Sequence, residues 1–289
     1  MKKPEGLKTK IFIDSGDPEE TAKIIHTIGF LDGQTTNPSL VAKNPAIASR
    51  IAKGEKLKTK EALDFYKKIV QEIALLMPKG SVSIEVIADN NTSSSQMVEQ
   101  GRGMFTWIPS AHVKLPTTQD GLEAAEILLA EGVRINFTLC FTQAQAAAIF
   151  QISKNILPGQ VYVSPFIGRL DDRGENGMDL VRNIIRMKKD TGSMVEVLAA
   201  SIRNLDELYE SLYLESDIAT VPFKILNEWK ENGLKVPTTD YVYPSGSLKE
   251  IPYQDFDLAV SWVNYNINDP LTEKGIDKFT ADWNSFTRE

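Results

Sequence analysis

Eight times along this chain a short, mostly apolar run is followed by a segment with helical spacing. The runs are KIFIDSG (10–16), FLDGQTT (30–36), SVSIEVIA (81–88), AHVKLPT (111–117), RINFTLC (134–140), VYVSPFIG (161–168), VEVLAASI (195–202) and IATVPF (218–223). Strand followed by helix, repeated, implies parallel strands joined by right-handed crossovers. A closed barrel of eight such units takes about 250 residues, and the chain has 289. The expected fold class is therefore α/β, a single (β/α)8 TIM barrel. It would span 1–289, with additional C-terminal helices as an appendage from about 238–289, packed on the outside. An open doubly wound sheet would usually carry a Gly-rich phosphate loop after its first strand, and neither GxGxxG nor a P-loop stands there.

The punctuation agrees with this reading. Acidic residues open the first helix at DPEE and Gly29 follows its end; GLEAAEILLAEG repeats its apolar residues at helical spacing and stops at Gly132. The Lys-rich stretch KGEKLKTKE reads as a solvated helix face. After Pro237 the pattern breaks into turn residues, PTTDYVYPSGS, and then predicts two more helical segments.

Strands of a parallel barrel are covered on both faces and should be apolar throughout. Several here alternate instead. Val82, Ile84 and Val86 oppose Ser81, Ser83 and Glu85; Val113 and Leu115 oppose His112 and Lys114; Ile135, Phe137 and Leu139 oppose Asn136, Thr138 and Cys140; Ile11 and Ile13 oppose Phe12 and Asp14. With a period of two, the apolar faces meet the helical ring and the polar faces point into the barrel. Asp14, Glu85, Lys114, Asn136, Thr138 and Ser164 then collect near the C-terminal strand ends, where barrel enzymes keep their active sites.

Lys114 has two readings. Desolvation lowers an amine's pKa and makes it a nucleophile able to form a Schiff base; alternatively it is a buried structural cation paired with Glu85 or Asp14. Those acids are either its partners or proton-transfer groups. His112, lower on the same face, reads as a satisfied core histidine, His26 as packing or surface, and the lone Cys140 as a small buried residue. Arg169 with Ser164, and Arg203 with Ser201, suggest an anion site after the sixth and seventh strands. The competing reading pairs Arg169 with Asp171 or Asp172 and Arg203 with Asp206.

Composition removes other classes. With 32 Lys+Arg against 39 Asp+Glu, the net charge of −7 argues against nucleic acid as a partner. One cysteine and two histidines leave no metal cluster of the usual ligand count. No apolar run reaches membrane-spanning length and no signal peptide is evident, so the expectation is a cytoplasmic protein that does not engage a membrane.

Taken in order, FIDSG, QTTNPSL, SIEV, HVKLP, INFTLCFTQAQA, SPFIGRLDD and AASIRN make the chain, from about Lys10 to Trp229, strongly resemble the transaldolase family. The resemblance implies a transferase of the class I aldolase type with its Schiff-base lysine at Lys114. The reaction implied is that of the non-oxidative pentose phosphate pathway: sedoheptulose 7-phosphate and glyceraldehyde 3-phosphate give erythrose 4-phosphate and fructose 6-phosphate. It implies that Asp14 takes the hydroxyl proton during carbon–carbon cleavage. Glu85 would act as acid and base through a water held with Thr138. Asn37, Asn136 and Ser164 would bind the dihydroxyacetone unit, and Arg169, Ser201 and Arg203 the phosphate. No cofactor or metal is implied, and the partners are sugar phosphates, with a homodimer as one option. The related fructose 6-phosphate aldolases release dihydroxyacetone to water instead. They tend to carry Gln and Tyr where this chain has Glu85 and Phe166, and a phenyl ring offers no hydroxyl to activate water. A non-catalytic sugar-phosphate-binding barrel is the remote alternative; it would need one of Lys114, Asp14 or Glu85 to be missing.

Overall fold

The eight runs become eight parallel strands that close on themselves in chain order. The structure is a computed structural model describing residues 2–288. The strands are β1 (Lys10–Asp14), β2 (Gly33–Thr35), β3 (Ser81–Glu85), β4 (Ala111–Pro116), β5 (Ile135–Cys140), β6 (Val161–Pro165), β7 (Glu196–Ala199) and β8 (Ile218–Val221). Closure is made by β1 on β8, from Lys10 opposite Ile218 to Ile13 opposite Val221. The ring is that of a (β/α)8 TIM barrel.

Local chemistry sets where each helix starts. Asp17 caps α1 (Pro18–Ile28) by accepting from the Glu19 amide at 2.9 Å, and Gly29, at φ 85°, ends it in the left-handed region. Asn37 accepts from the Leu40 amide at 2.8 Å and so caps α2 (Pro38–Lys43), which α3 (Pro45–Ala52) follows. The ring continues with α4 (Thr59–Leu76), α5 (Ser94–Phe105), α6 (Gln119–Ala130) and α7 (Gln143–Ile152). It is completed by α8 (Ile167–Asp172), α9 (Gly177–Thr191), α10 (Leu205–Tyr213) and α11 (Phe223–Glu231). Helix α6 lies so close to β4 that a Cβ at Gly121 would fall 1.9 Å from the Pro116 carbonyl oxygen, so only glycine fits there.

Three expectations change. The Lys-rich stretch is solvated but is mostly not helix: Leu57–Lys58 form a short strand pair with Thr287–Arg288 before α4 begins. Of the two C-terminal helical segments only one is a helix, α12 (Pro270–Phe286); the other is extended chain with a single 3₁₀ turn at Trp262–Asn264. Strict alternation also fails in β5. The pairing of β5 with β6 shifts register between Phe137 and Cys140, and Leu139 takes φ 58°.

The last segment does not all pack on the outside as expected. Its first part runs along the outer helices, where Asn183 donates to the Ile251 carbonyl at 2.8 Å and Gln143 to the Pro252 carbonyl at 2.9 Å. The chain then turns back, and α12 lies across the C-terminal mouth of the barrel. The Thr272 hydroxyl donates to the Leu139 carbonyl near the end of β5 and the Thr280 hydroxyl to the Ala88 carbonyl beyond β3, both at 3.0 Å. Asp282 accepts from Ser39 at the start of α2.

Candidate active site

The barrel interior is built in levels. Near the N-terminal end, Phe12, Tyr162 and His112 fill the bore, with the His112 ring stacked 4.1 Å from that of Tyr162. Both His112 nitrogens are used: Nε2 lies 2.9 Å from the Gly159 carbonyl and Nδ1 2.8 Å from the Ser81 hydroxyl. A carbonyl can only accept, so Nε2 carries the proton and Nδ1 accepts from Ser81. Burial pushes the His112 pKa down to about 3, leaving a neutral core histidine.

One level higher the pattern changes. Pairing puts Glu85 opposite Lys114 and Lys114 opposite Asn136. Lys114 is almost wholly enclosed, and its Nζ lies 3.0 Å from Glu85 Oε2 and 3.4 Å from the Thr36 carbonyl oxygen. Thr138 Oγ1 is buried without a hydrogen-bond partner, while Glu85 Oε2 faces the Lys114 ammonium and no other donor. Burial raises the Glu85 pKa against the pull of the Lys114 ammonium. Burial also raises that of Asp14, opposed by Lys114, by a 2.6 Å bond from the Thr35 hydroxyl and by Lys43. Asn136 is held rigidly, donating to Ser83 Oγ at 3.0 Å and accepting from Ser164 Oγ at 2.7 Å.

A cavity of about 270 Å³ opens above Lys114, and Asp14, Asn37, Ser164, Phe166, Arg169, Ser201 and Arg203 also line it. Glu85, Asn136 and Thr138 do not line it. They stand behind the wall: Glu85 meets it through Lys114 and Asn136 through Ser164. At the far end, Arg169 pairs with no carboxylate among the described residues; its guanidinium carbon lies 5.7 Å from the Phe166 ring centre. The pairings of the competing reading do not form. Arg203 binds Asp172, not Asp206, while Asp171 accepts from the Gly177 amide. Ser201 holds φ 59°, strained for a residue with a Cβ, and its carbonyl accepts from the Gly168 amide at 3.1 Å. Cys140 is inert, burial pushing its thiol up to about 12.

The cavity has further lining that the strand pattern does not reveal: Ser39 and Lys43 on α2, and Lys278, Phe279 and Asp282 on α12. The α2 residues carried a signal, since Ser39 and Lys43 are four apart on one helical face beside Asn37. Those of α12 could be found only by knowing where that helix lies.

The fold and this site define a (β/α)8-barrel enzyme with an enclosed lysine–carboxylate centre at its C-terminal mouth and a cationic far end. The comparisons with known proteins sharpen that class. The family description transaldolase/fructose-6-phosphate aldolase matches residues 11–289. A probable transaldolase of Dehalococcoides mccartyi is 34% identical over 276 residues, 96% of this chain and 98% of the relative. A probable transaldolase of Geobacillus thermodenitrificans is 34% identical over 95% of this chain and 98% of its own length. For probable transaldolase 2 of Listeria monocytogenes the figures are 32%, 97% and 98%. The chain belongs to the transaldolase/fructose-6-phosphate aldolase family, and it is an enzyme of the transaldolase type. No helix among the described residues is long and apolar enough to cross a membrane.

Proposed function

We propose that the chain transfers a dihydroxyacetone unit between sugar phosphates through a Schiff base on Lys114. The donor is sedoheptulose 7-phosphate and the acceptor glyceraldehyde 3-phosphate. The observation that carries this reading is the single cavity with an enclosed amine beside a carboxylate at one end and an unpaired guanidinium at the other.

The Lys114 amine adds to the ketose carbonyl, and loss of water gives the protonated imine. The buried Glu85 carboxylate beside Lys114 and the unpartnered Thr138 Oγ1 suit a bridging water through which Glu85 gives and takes protons during that step. Asp14 removes the proton from the hydroxyl beyond the scissile bond. The carbon–carbon bond then breaks, its electrons move into the imine, and the aldose phosphate leaves. The enamine that remains attacks the acceptor aldehyde, and the same groups run the steps in reverse. Ser164 and Asn136, already locked to one another, hold the dihydroxyacetone hydroxyls together with Asn37. Arg169 and Ser201 hold the phosphate, and Arg203 joins them by exchanging Asp172 for it.

Borohydride reduction in the presence of fructose 6-phosphate should fix a three-carbon unit to Lys114 and inactivate the enzyme. Label on another lysine, or none, refutes the mechanism. Sugar turnover should also require an erythrose 4-phosphate acceptor; equally fast dihydroxyacetone release without one would make the enzyme a fructose 6-phosphate aldolase.

A further inference from the structure

Helix α12 contributes one large side chain to the reacting end of the cavity. The Phe279 ring centre lies 6.0 Å from Lys114 Nζ and 5.6 Å from the Arg169 guanidinium carbon. Phe166 stands at nearly the same distances from the same two cations, 6.0 and 5.7 Å. Two phenyl rings, one from the barrel and one from the C-terminal helix, therefore share the nucleophilic amine and the free guanidinium. Phe279 is only 6% exposed although it sits at the mouth. The helix can come this close because position 275 is glycine; a Cβ there would lie 2.6 Å from Leu139 Cδ2 and 2.7 Å from Arg169 Nη1. The left-handed Leu139 at the β5 bulge thus meets α12 beside Arg169. Bonds to Ser39 at the start of α2, to Ala88 beyond β3 and to Leu139 near the end of β5 fix the helix at three points around the opening.

We propose that Phe279 is a specificity-determining residue: its ring excludes water from the enamine carbon, so that transfer to an aldehyde wins over release of dihydroxyacetone. The inference rests on the Schiff-base reading above. The competing release consumes one water. A proton adds to the enamine carbon and restores the imine, hydroxide adds to the imine carbon, and the carbon–nitrogen bond breaks to free dihydroxyacetone and the Lys114 amine. Imine hydrolysis is common to both paths, since the product ketose also leaves Lys114 that way; protonation of the enamine carbon is the step that separates release from transfer. Phe166 lacks a hydroxyl to relay a proton from water, and the Phe279 ring, 6.0 Å from Lys114 Nζ, occupies space where such a water would stand. Closing a site against water in this way suppresses hydrolysis of a reactive intermediate.

The test uses the full chain carrying Phe279→Ala, with fructose 6-phosphate as donor, comparing dihydroxyacetone release without acceptor against transfer to erythrose 4-phosphate, read as sedoheptulose 7-phosphate formed. The ratio of release to transfer should rise about 10-fold or more. A ring that only packs α12 against the barrel would instead lower both rates together, and an unchanged ratio overturns the proposal. Should that variant fail to fold, Phe279→Leu keeps the helix packed and should raise the ratio about two- to three-fold; a parallel fall in both rates there is equally fatal. The borohydride adduct separates the two claims. An unmodified wild-type enzyme without an adduct at Lys114 defeats the Schiff-base reading, whereas an adduct with an unmoved ratio defeats only the role of Phe279.

Discussion

His112 and Lys114 stand two residues apart on the same face of β4, both buried in the barrel bore, yet their surroundings are opposite. Around His112 both ring nitrogens have partners and a stacked ring covers its face. Around Lys114 the ammonium faces a buried carboxylate at 3.0 Å, and a threonine hydroxyl is buried with no partner. Burying an unpaired polar atom costs about 1–3 kcal/mol, so the surroundings of His112 at the floor of the bore are those of a stabilising core group, whereas the level above carries a buried ion pair beside an unpaired hydroxyl. On a barrel strand, polarity alone does not mark a site. A buried ion pair whose amine opens on a cavity does.

The sharpest way to break this comparison is to exchange what the two levels lose. Lys114→Met should abolish transfer, by about 10⁴-fold or more in kcat/KM, and prevent the borohydride adduct. Next is Asp14→Asn, which should cost about 10²–10⁴-fold in kcat through loss of the base while borohydride still traps an adduct at Lys114, now the uncleaved six-carbon imine; loss of any adduct instead would move Asp14 into imine formation. At the floor the signs reverse. His112→Phe strands the Ser81 hydroxyl and the Gly159 carbonyl and should cost about 1–3 kcal/mol of unfolding free energy, with kcat/KM within about twofold of wild type. Urea denaturation and steady-state assays on one preparation decide it, and a fall in kcat with unchanged stability would place His112 in the catalytic machinery. There is a pH signature too. The folded pKa of His112, near 3, lies below its ordinary 6.5. The unfolded chain therefore takes up the proton first, and stability falls as pH drops from about 6.5 toward 3. The His112→Phe variant should lose that part of the slope.

Most of the barrel and its polar row were legible because both are written in local periods. A strand's alternation and a helix's apolar stripe survive without knowledge of partners, and Asp14, Glu85, Lys114 and Asn136 follow directly from parity. Two things were not legible. The β5 bulge depends on Leu139 adopting φ 58°, for which leucine carries no signal as glycine would. The position of α12 depends on the chain before it, held by single bonds such as those of Asn183 and Gln143 to backbone carbonyls. An amphipathic pattern says that a helix buries one face and is silent about what lies beneath it. Phe279 reads as an ordinary core residue until the helix is placed over Lys114. The Arg203 partner failed for a related reason: Asp206 is near in sequence, whereas Asp172 is brought up by the fold.

The smallest expected effect tests how far the upper level extends. Lys43, exposed at the end of α2, lines the cavity and is one of the charges that hold down the Asp14 pKa. Burial nevertheless leaves that pKa above its ordinary 3.8. In the base role proposed for Asp14, activity should be lost as pH falls through its raised pKa, and the acid limb of kcat/KM should lie above the usual carboxylate range. Lys43→Met removes a positive charge, favours the protonated acid further and moves that limb to higher pH. An exposed charge is well screened, so the shift should be only about 0.3 pH unit at low salt, shrinking as salt is added. A limb that moves down would mean that the group titrating there gains its proton more easily with Lys43 present, as no carboxylate beside an ammonium does. It would take Asp14 out of the base role while leaving the fold and the Lys114 centre untouched.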